Sequence, residues 1–126
     1  DIDNFLSTDR KDLPHISDAA KCAIEPLAKL DLARFMLLWE YGGIVTDIET
    51  VPGIEFENSD VVASDDECVL EYKGDKNVNT RFIACRPKHL FLYAALQRSI
   101  GSHLLQFNEA GDNRTYTAAR SDIYNF

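Results

Sequence analysis

One continuous stretch, Leu27 to Pro52 (LAKLDLARFMLLWEYGGIVTDIETVP), constrains this chain more than any other. It reads as a helix opened by Pro26, a stop at Gly42-Gly43, and a strand that carries two acids before Pro52-Gly53 breaks it. At about 100° per residue, Lys29 and Glu40 fall about 20° apart and form a solvated edge. Asp31 and Arg34 fall about 60° apart on the far side, in the sector of Leu27 and Leu38. Phe35 to Trp39 is apolar almost all round, which predicts a buried helix. A charge pair on such a helix must be satisfied by its own members or by a ligand, because an unpaired buried charge is very costly.

The β-branched run Ile44-Val45-Thr46 continues as Asp47-Ile48-Glu49-Thr50-Val51. With a period of two, Asp47 and Glu49 point to one face, roughly 6.5 to 7 Å apart. Carboxylates so placed repel unless a cation lies between them, and a hard divalent ion such as Mg²⁺ or Mn²⁺ suits oxygen donors. Taken alone, acid-x-acid at a strand end is usually a solvated turn, and Asp and Arg at i, i+3 are usually a structural ion pair. Their conjunction with a buried helix and a Gly-Gly exit is what points to a site.

The pattern Asp31-x-x-Arg34, Tyr41-Gly42-Gly43-Ile44, Asp47-x-Glu49 resembles the signature of DXD-containing glycosyltransferases of the sugar-binding-region type, family 32. That family includes initiating mannosyltransferases, inositol phosphoceramide mannosyltransferases and lactosylceramide galactosyltransferases. The step of 16 residues from Asp31 to Asp47 matches it too. The resemblance implies an α/β GT-A fold, a UDP- or GDP-hexose donor, a glycan or glycolipid hydroxyl acceptor, and bound Mn²⁺ or Mg²⁺. It implies that Asp31 and Arg34 hold donor-sugar hydroxyls, that Asp47 faces ribose and metal, and that Glu49 ligates the metal. Glu49 stands where the family has a second Asp, longer by one methylene. The segment Asn77 to Cys85, followed by Pro87-Lys88-His89, resembles the family's later strand, which makes Asn77 or Asn79 a candidate sugar or phosphate contact beside the plainer reading of an Asx turn. A further metal ligand, if supplied late in the chain, falls among His103, Asp112 and Asp122. Where the family often has Thr-Gly-Pro, this chain has Thr115-Tyr116-Thr117 and lacks both Gly and Pro.

With 126 residues, 45% of them hydrophobic, the chain is one domain's worth, expected to be part of a GT-A catalytic domain over 1–126. The sole methionine, Met36, lies in mid-helix, so a fragment is expected. The nucleotide-binding strands the family places ahead of the Asp31 helix are not visible in residues 1–16. Thirteen basic against 21 acidic residues give a net charge of -8 without a basic stripe, which argues against nucleic acid or an anionic membrane surface as partner. No apolar run approaches the roughly 20 residues of a membrane span, so the chain is expected to be soluble. For a eukaryotic protein the resemblance implies the lumenal side of the Golgi or another secretory-pathway membrane. Cys22, Cys68 and Cys85 lack metal-like spacing and read as three small core residues.

Elsewhere, residues 1–16 read as an irregular lead-in, and Ser17 as the cap of a helix over Asp18 to Ile24. Val61-Val62-Ala63 and Cys68 to Tyr72 read as strands, and Asp65-Asp66-Glu67 as an acidic turn. His89 to Ile100 reads as a helix that covers the core with Leu90, Tyr93, Ala94 and Leu96-Gln97 and stops at Gly101. The expected activity is a metal-dependent, retaining hexosyl transfer. The other readings are a metal- or sugar-binding module without turnover, and an acidic scaffold whose charges are all structural.

Overall fold

The structure is a computed structural model that describes residues 1–8, 10–23, 25–47, 67–72, 74 and 78–108, with backbone alone at 72, 78 and 105–108. It is a mixed α/β arrangement: helices α1 (Ile2–Ser7), α2 (Ile16–Cys22), α3 (Pro26–Tyr41) and α4 (Leu90–Asn108), and strands β1 (Gly43–Thr46), β2 (Cys68–Tyr72) and β3 (Val78–Cys85).

The lead-in is more ordered than its composition suggests. Asp1 accepts the Asp3 N–H at 2.9 Å and caps α1, Asp3 sits favourably in the first turn, and Leu6 anchors the helix in the core. The second helix begins at Ile16, earlier than a Ser17 cap would allow, because Ile16 and Ala19 are its buried residues and set its start. The third helix has the expected bounds, with Pro26 in its first turn. It buries Leu32, Phe35, Met36 and Leu38, but Leu37 is 42% exposed, so the apolar run is not enclosed all round.

The sheet has the order β1-β3-β2, antiparallel throughout. Ile83 on the central strand is fully buried and faces the helices' core. The ladder extends one residue past β1, where the Asp47 N–H donates to the Arg81 carbonyl at 3.2 Å. Residues 48–66, which hold the rest of the expected strand and the Val61-Ala63 run, lie outside the described residues.

The reading of three core cysteines needs correction. The Arg86 N–H donates to the Glu67 carbonyl, so the next pair, Cys68 opposite Cys85, is a non-hydrogen-bonded position. That is where antiparallel Cα atoms approach most closely, and these two lie 4.1 Å apart and form a disulfide. Cys22 is the free thiol. The bond closes a sequence separation of 17, for which the chain-entropy estimate is about 3 kcal/mol. Cys68→Ser with Cys85→Ser, or full reduction, is therefore expected to lower the melting temperature by roughly 10 °C or more. Matching melting curves with and without reductant would contradict this.

Gly101 does not stop the last helix, which runs on to Asn108. A helical glycine costs only about 1 kcal/mol relative to alanine, and tertiary packing outweighs it here. Leu92, Ala95, Leu96, Ser99, Ile100 and His103 form an unbroken buried stripe at i, i+3, i+4 spacing across the glycine. This face is rotated from the expected one: Leu90 is 80% exposed and Tyr93 lies at the surface. The helix start is as read, with His89 Nδ1 accepting the Phe91 N–H at 3.0 Å.

Candidate functional site

The Gly42-Gly43 reversal folds the start of β1 back beside α3 and brings Asp47 to Arg34, 13 residues earlier in the chain. Arg34 Nη2 forms a direct ion pair with Asp47 Oδ1, and Arg34 Nη1 lies 3.8 Å from Asp31 Oδ1. One guanidinium thus bridges two carboxylates, one turn of helix below it and one strand end beside it. Side-chain exposure rises along the row, from 0% at Asp31 through 12% at Arg34 to 33% at Asp47. The row is a charged path from the core to the surface. Arg34 suits the middle position because its planar fork can donate to two acceptors at once, which a lysine ammonium does with less directional fit. Asp31 tolerates full burial because a cation lies against it.

Of the residues singled out in the sequence, Asp31, Arg34 and Asp47 therefore converge. Glu49 and Asn77 lie outside the described residues, as do Asp112 and Asp122. Asn79 is buried on β3, two residues from Arg81, and its Oδ1 accepts the Arg81 N–H at 3.1 Å. That is the local Asx-type use of an asparagine. His103 is buried in the α4 stripe, and burial pushes its imidazole below the ordinary histidine range, which keeps it neutral. Among the described residues no group of three or more His, Cys, Asp or Glu side chains is arranged to hold a metal.

A second cluster, which the sequence reading missed, holds the scaffold of this site. The Trp39 indole N–H and Lys88 Nζ each donate to Asp12 Oδ2 at 2.9 Å, and the Lys88 ammonium lies 4.6 Å from the centre of the Trp39 ring. These donors, Lys88 first, hold the Asp12 carboxyl below its ordinary range despite some opposing burial. The Lys88 N–H also donates to the Trp39 carbonyl at 2.9 Å, with Lys88 in the left-handed region at φ 60°. The turn between β3 and α4 is thereby fastened to the last turn of α3, next to Gly42. Arg10 pairs with Glu40 on the same helix. Lys88 and Asp12 are 76 residues apart and no local pattern links them; Trp39, whose buried indole needs an acceptor, was the signal available.

Comparison with protein-family models, curated proteins and solved structures finds no match for this chain.

Proposed function

We propose that this chain carries the donor-sugar region of a GT-A-type, metal-dependent, retaining hexosyltransferase, which moves a hexose from a nucleoside-diphosphate sugar to a hydroxyl of a glycan or glycolipid. The observation that supports it is the convergence of Asp31, Arg34 and Asp47 through a single guanidinium. Each of the three belongs to the family-32-like pattern, and the fold brings them together from a helix and a strand end.

Carboxylate oxygens of the kind that Asp47 and Glu49 carry suit a hard divalent cation. Asp47 offers carboxylate oxygen at a half-exposed position and already holds a positive group there, and Glu49 follows two residues later in the sequence. Asp47 and Glu49 would hold Mn²⁺ or Mg²⁺, which when bound supplies charge stabilisation for a departing diphosphate. Arg34 orients the donor by donating to sugar hydroxyls; Asp31, expected from the resemblance to be a second sugar contact, is fully buried and acts instead through Arg34, 3.8 Å away. Asn79, whose Oδ1 accepts the Arg81 N–H, has its amide NH₂ as the group to offer sugar or phosphate. The Cys68–Cys85 disulfide favours an oxidising compartment such as the secretory lumen. Among the described residues no helix is long and apolar enough to cross a membrane.

Incubation with Mn²⁺ and a panel of UDP- and GDP-hexoses is expected to release nucleoside diphosphate, and Asp47→Ala or Glu49→Ala is expected to bring release to background. Mn²⁺ binding without release by the native chain would instead identify a binding module. Absence of both would leave only the acidic scaffold.

A further inference from the structure

We propose that His89 is a proton-operated cap for α4: neutral, it holds the start of the helix, and protonated, it releases that start and keeps only Glu67. The device is independent of what Asp47 binds. Each nitrogen of the ring has its own partner. Nδ1 accepts the Phe91 N–H at 3.0 Å, and Nε2 lies 3.2 Å from Glu67 Oε2, one residue ahead of β2. A nitrogen that accepts carries no proton, so the first contact puts the proton of the neutral ring on Nε2, where it donates to the Glu67 carboxylate. The two contacts select one tautomer.

A second proton can enter the ring only at Nδ1, the atom that caps. Imidazolium has two donors and no acceptor, so the Phe91 N–H would then face another N–H. The first turn of α4 holds no acid to soften the change, and a positive ring stands at the helix end that disfavours cations. Glu67 acts the other way, because it pairs more strongly with imidazolium. Its side chain is 71% exposed, however, so water and salt screen that gain. The other charged groups nearby are engaged elsewhere, Lys88 with Asp12 and Glu40 of α3 with Arg10. The Arg86 N–H holds the Glu67 carbonyl at 2.8 Å and the Cys68–Cys85 disulfide follows directly, so Glu67 stays in place in both states. Protonation thus trades the cap for a stronger surface pair. It loosens the turn that carries Phe91, whose ring lies 6.5 Å from that of Phe35 on α3, and leaves the buried stripe from Leu92 onward in place.

The test is nuclear magnetic resonance of the whole chain between about pH 8 and about pH 5, the interval in which histidine side chains change charge. At the higher pH, long-range ¹H–¹⁵N couplings of His89 are expected to show the proton on Nε2. At the lower pH the Phe91 amide, its solvent exchange corrected for the intrinsic effect of pH, is expected to lose protection roughly 5-fold relative to the Leu96 amide, which is what a typical side-chain cap is worth. Referring it to Leu96 removes any opening of the whole helix driven by His15 or by the buried His103. His89→Asn keeps a capping oxygen that does not titrate in this interval, and is expected to hold the ratio constant. Glu67→Gln removes the opposing carboxylate and is expected to enlarge the change. A proton on Nδ1 at the higher pH, a ring still neutral at the lower pH, or a constant ratio while the ring becomes charged overturns the proposal, as does an equal change in His89→Asn. If the variants do not fold, the tautomer and the ratio in the native chain decide by themselves.

Discussion

Gly42→Ala is expected to destabilise the fold by about 4 kcal/mol or more, enough to leave a marginal domain largely unfolded at 37 °C. Two independent costs add at this position. The backbone sits at φ 67°, ψ -169°, a region essentially reserved for glycine, where another residue carries strain of about 1–3 kcal/mol. An added Cβ would also stand 2.6 Å from Pro87 Cδ and 2.8 Å from Pro87 N. A proline ring and a backbone nitrogen have no flexible end to move aside, so the overlap becomes a shift of the turn between β3 and α4. Gly43 provides the control. Its φ of 106° is equally unsuited to a side chain, but nothing lies within 4 Å of its added Cβ, so Gly43→Ala should cost only the strain, about 1–3 kcal/mol. Equilibrium denaturation of both variants separates strain from collision. Equal losses would mean that Pro87 does not press on Gly42. The pair also bears on the site, because the Gly42–Pro87 contact fixes where β1 starts, and a strand that starts elsewhere does not deliver Asp47 to Arg34.

What could be read in the sequence follows from how local its cause is. Proline at the head and two glycines at the foot bounded α3 correctly, and the helical wheel put Asp31 and Arg34 in one sector of a buried helix. Strand β2 was visible in its alternating residues, and β3 in a segment that resembles the later strand of the family-32 pattern. The start of α1 rests on the Asp1 cap, a signal present at the first residue and outweighed by the polar composition around it. At Gly101 a local rule was overridden by a stripe of buried side chains that continues beyond it. The disulfide depended on register, and the register of β2 against β3 shifts between Leu70 and Glu71, which alternation alone does not reveal. The convergence of Asp47 on Arg34 lay between these cases. The Gly-Gly stop marked where the helix ends, while the return of the strand beside it and the direct pairing of the two charges depend on how β1 packs.

That pairing makes a further, asymmetric prediction about what the charged row is for. Arg34→Met removes the cation and leaves the fully buried Asp31 carboxylate without the guanidinium that neutralises it, a change expected to cost about 3–5 kcal/mol. Asp31→Leu leaves Arg34 paired with Asp47, so the guanidinium is not stranded, and the loss should be smaller than in Arg34→Met. Combining the two substitutions replaces a buried ion pair by apolar side chains of similar size in a helix already lined by Leu32, Phe35 and Met36, and such replacements are often neutral or stabilising. The double variant is therefore expected to recover most of the stability lost in Arg34→Met, giving a coupling of about 2 kcal/mol or more in a denaturation cycle. It is also expected to lose Mn²⁺-dependent release from nucleotide sugars by about 100-fold or more, since no donor remains to orient the sugar. A double variant that is as stable as the native chain and inactive would show that the row is kept for ligand chemistry at some expense to packing. If stability were not recovered, the row would be structural, and the charges at 31 and 34 would then need no sugar to explain them.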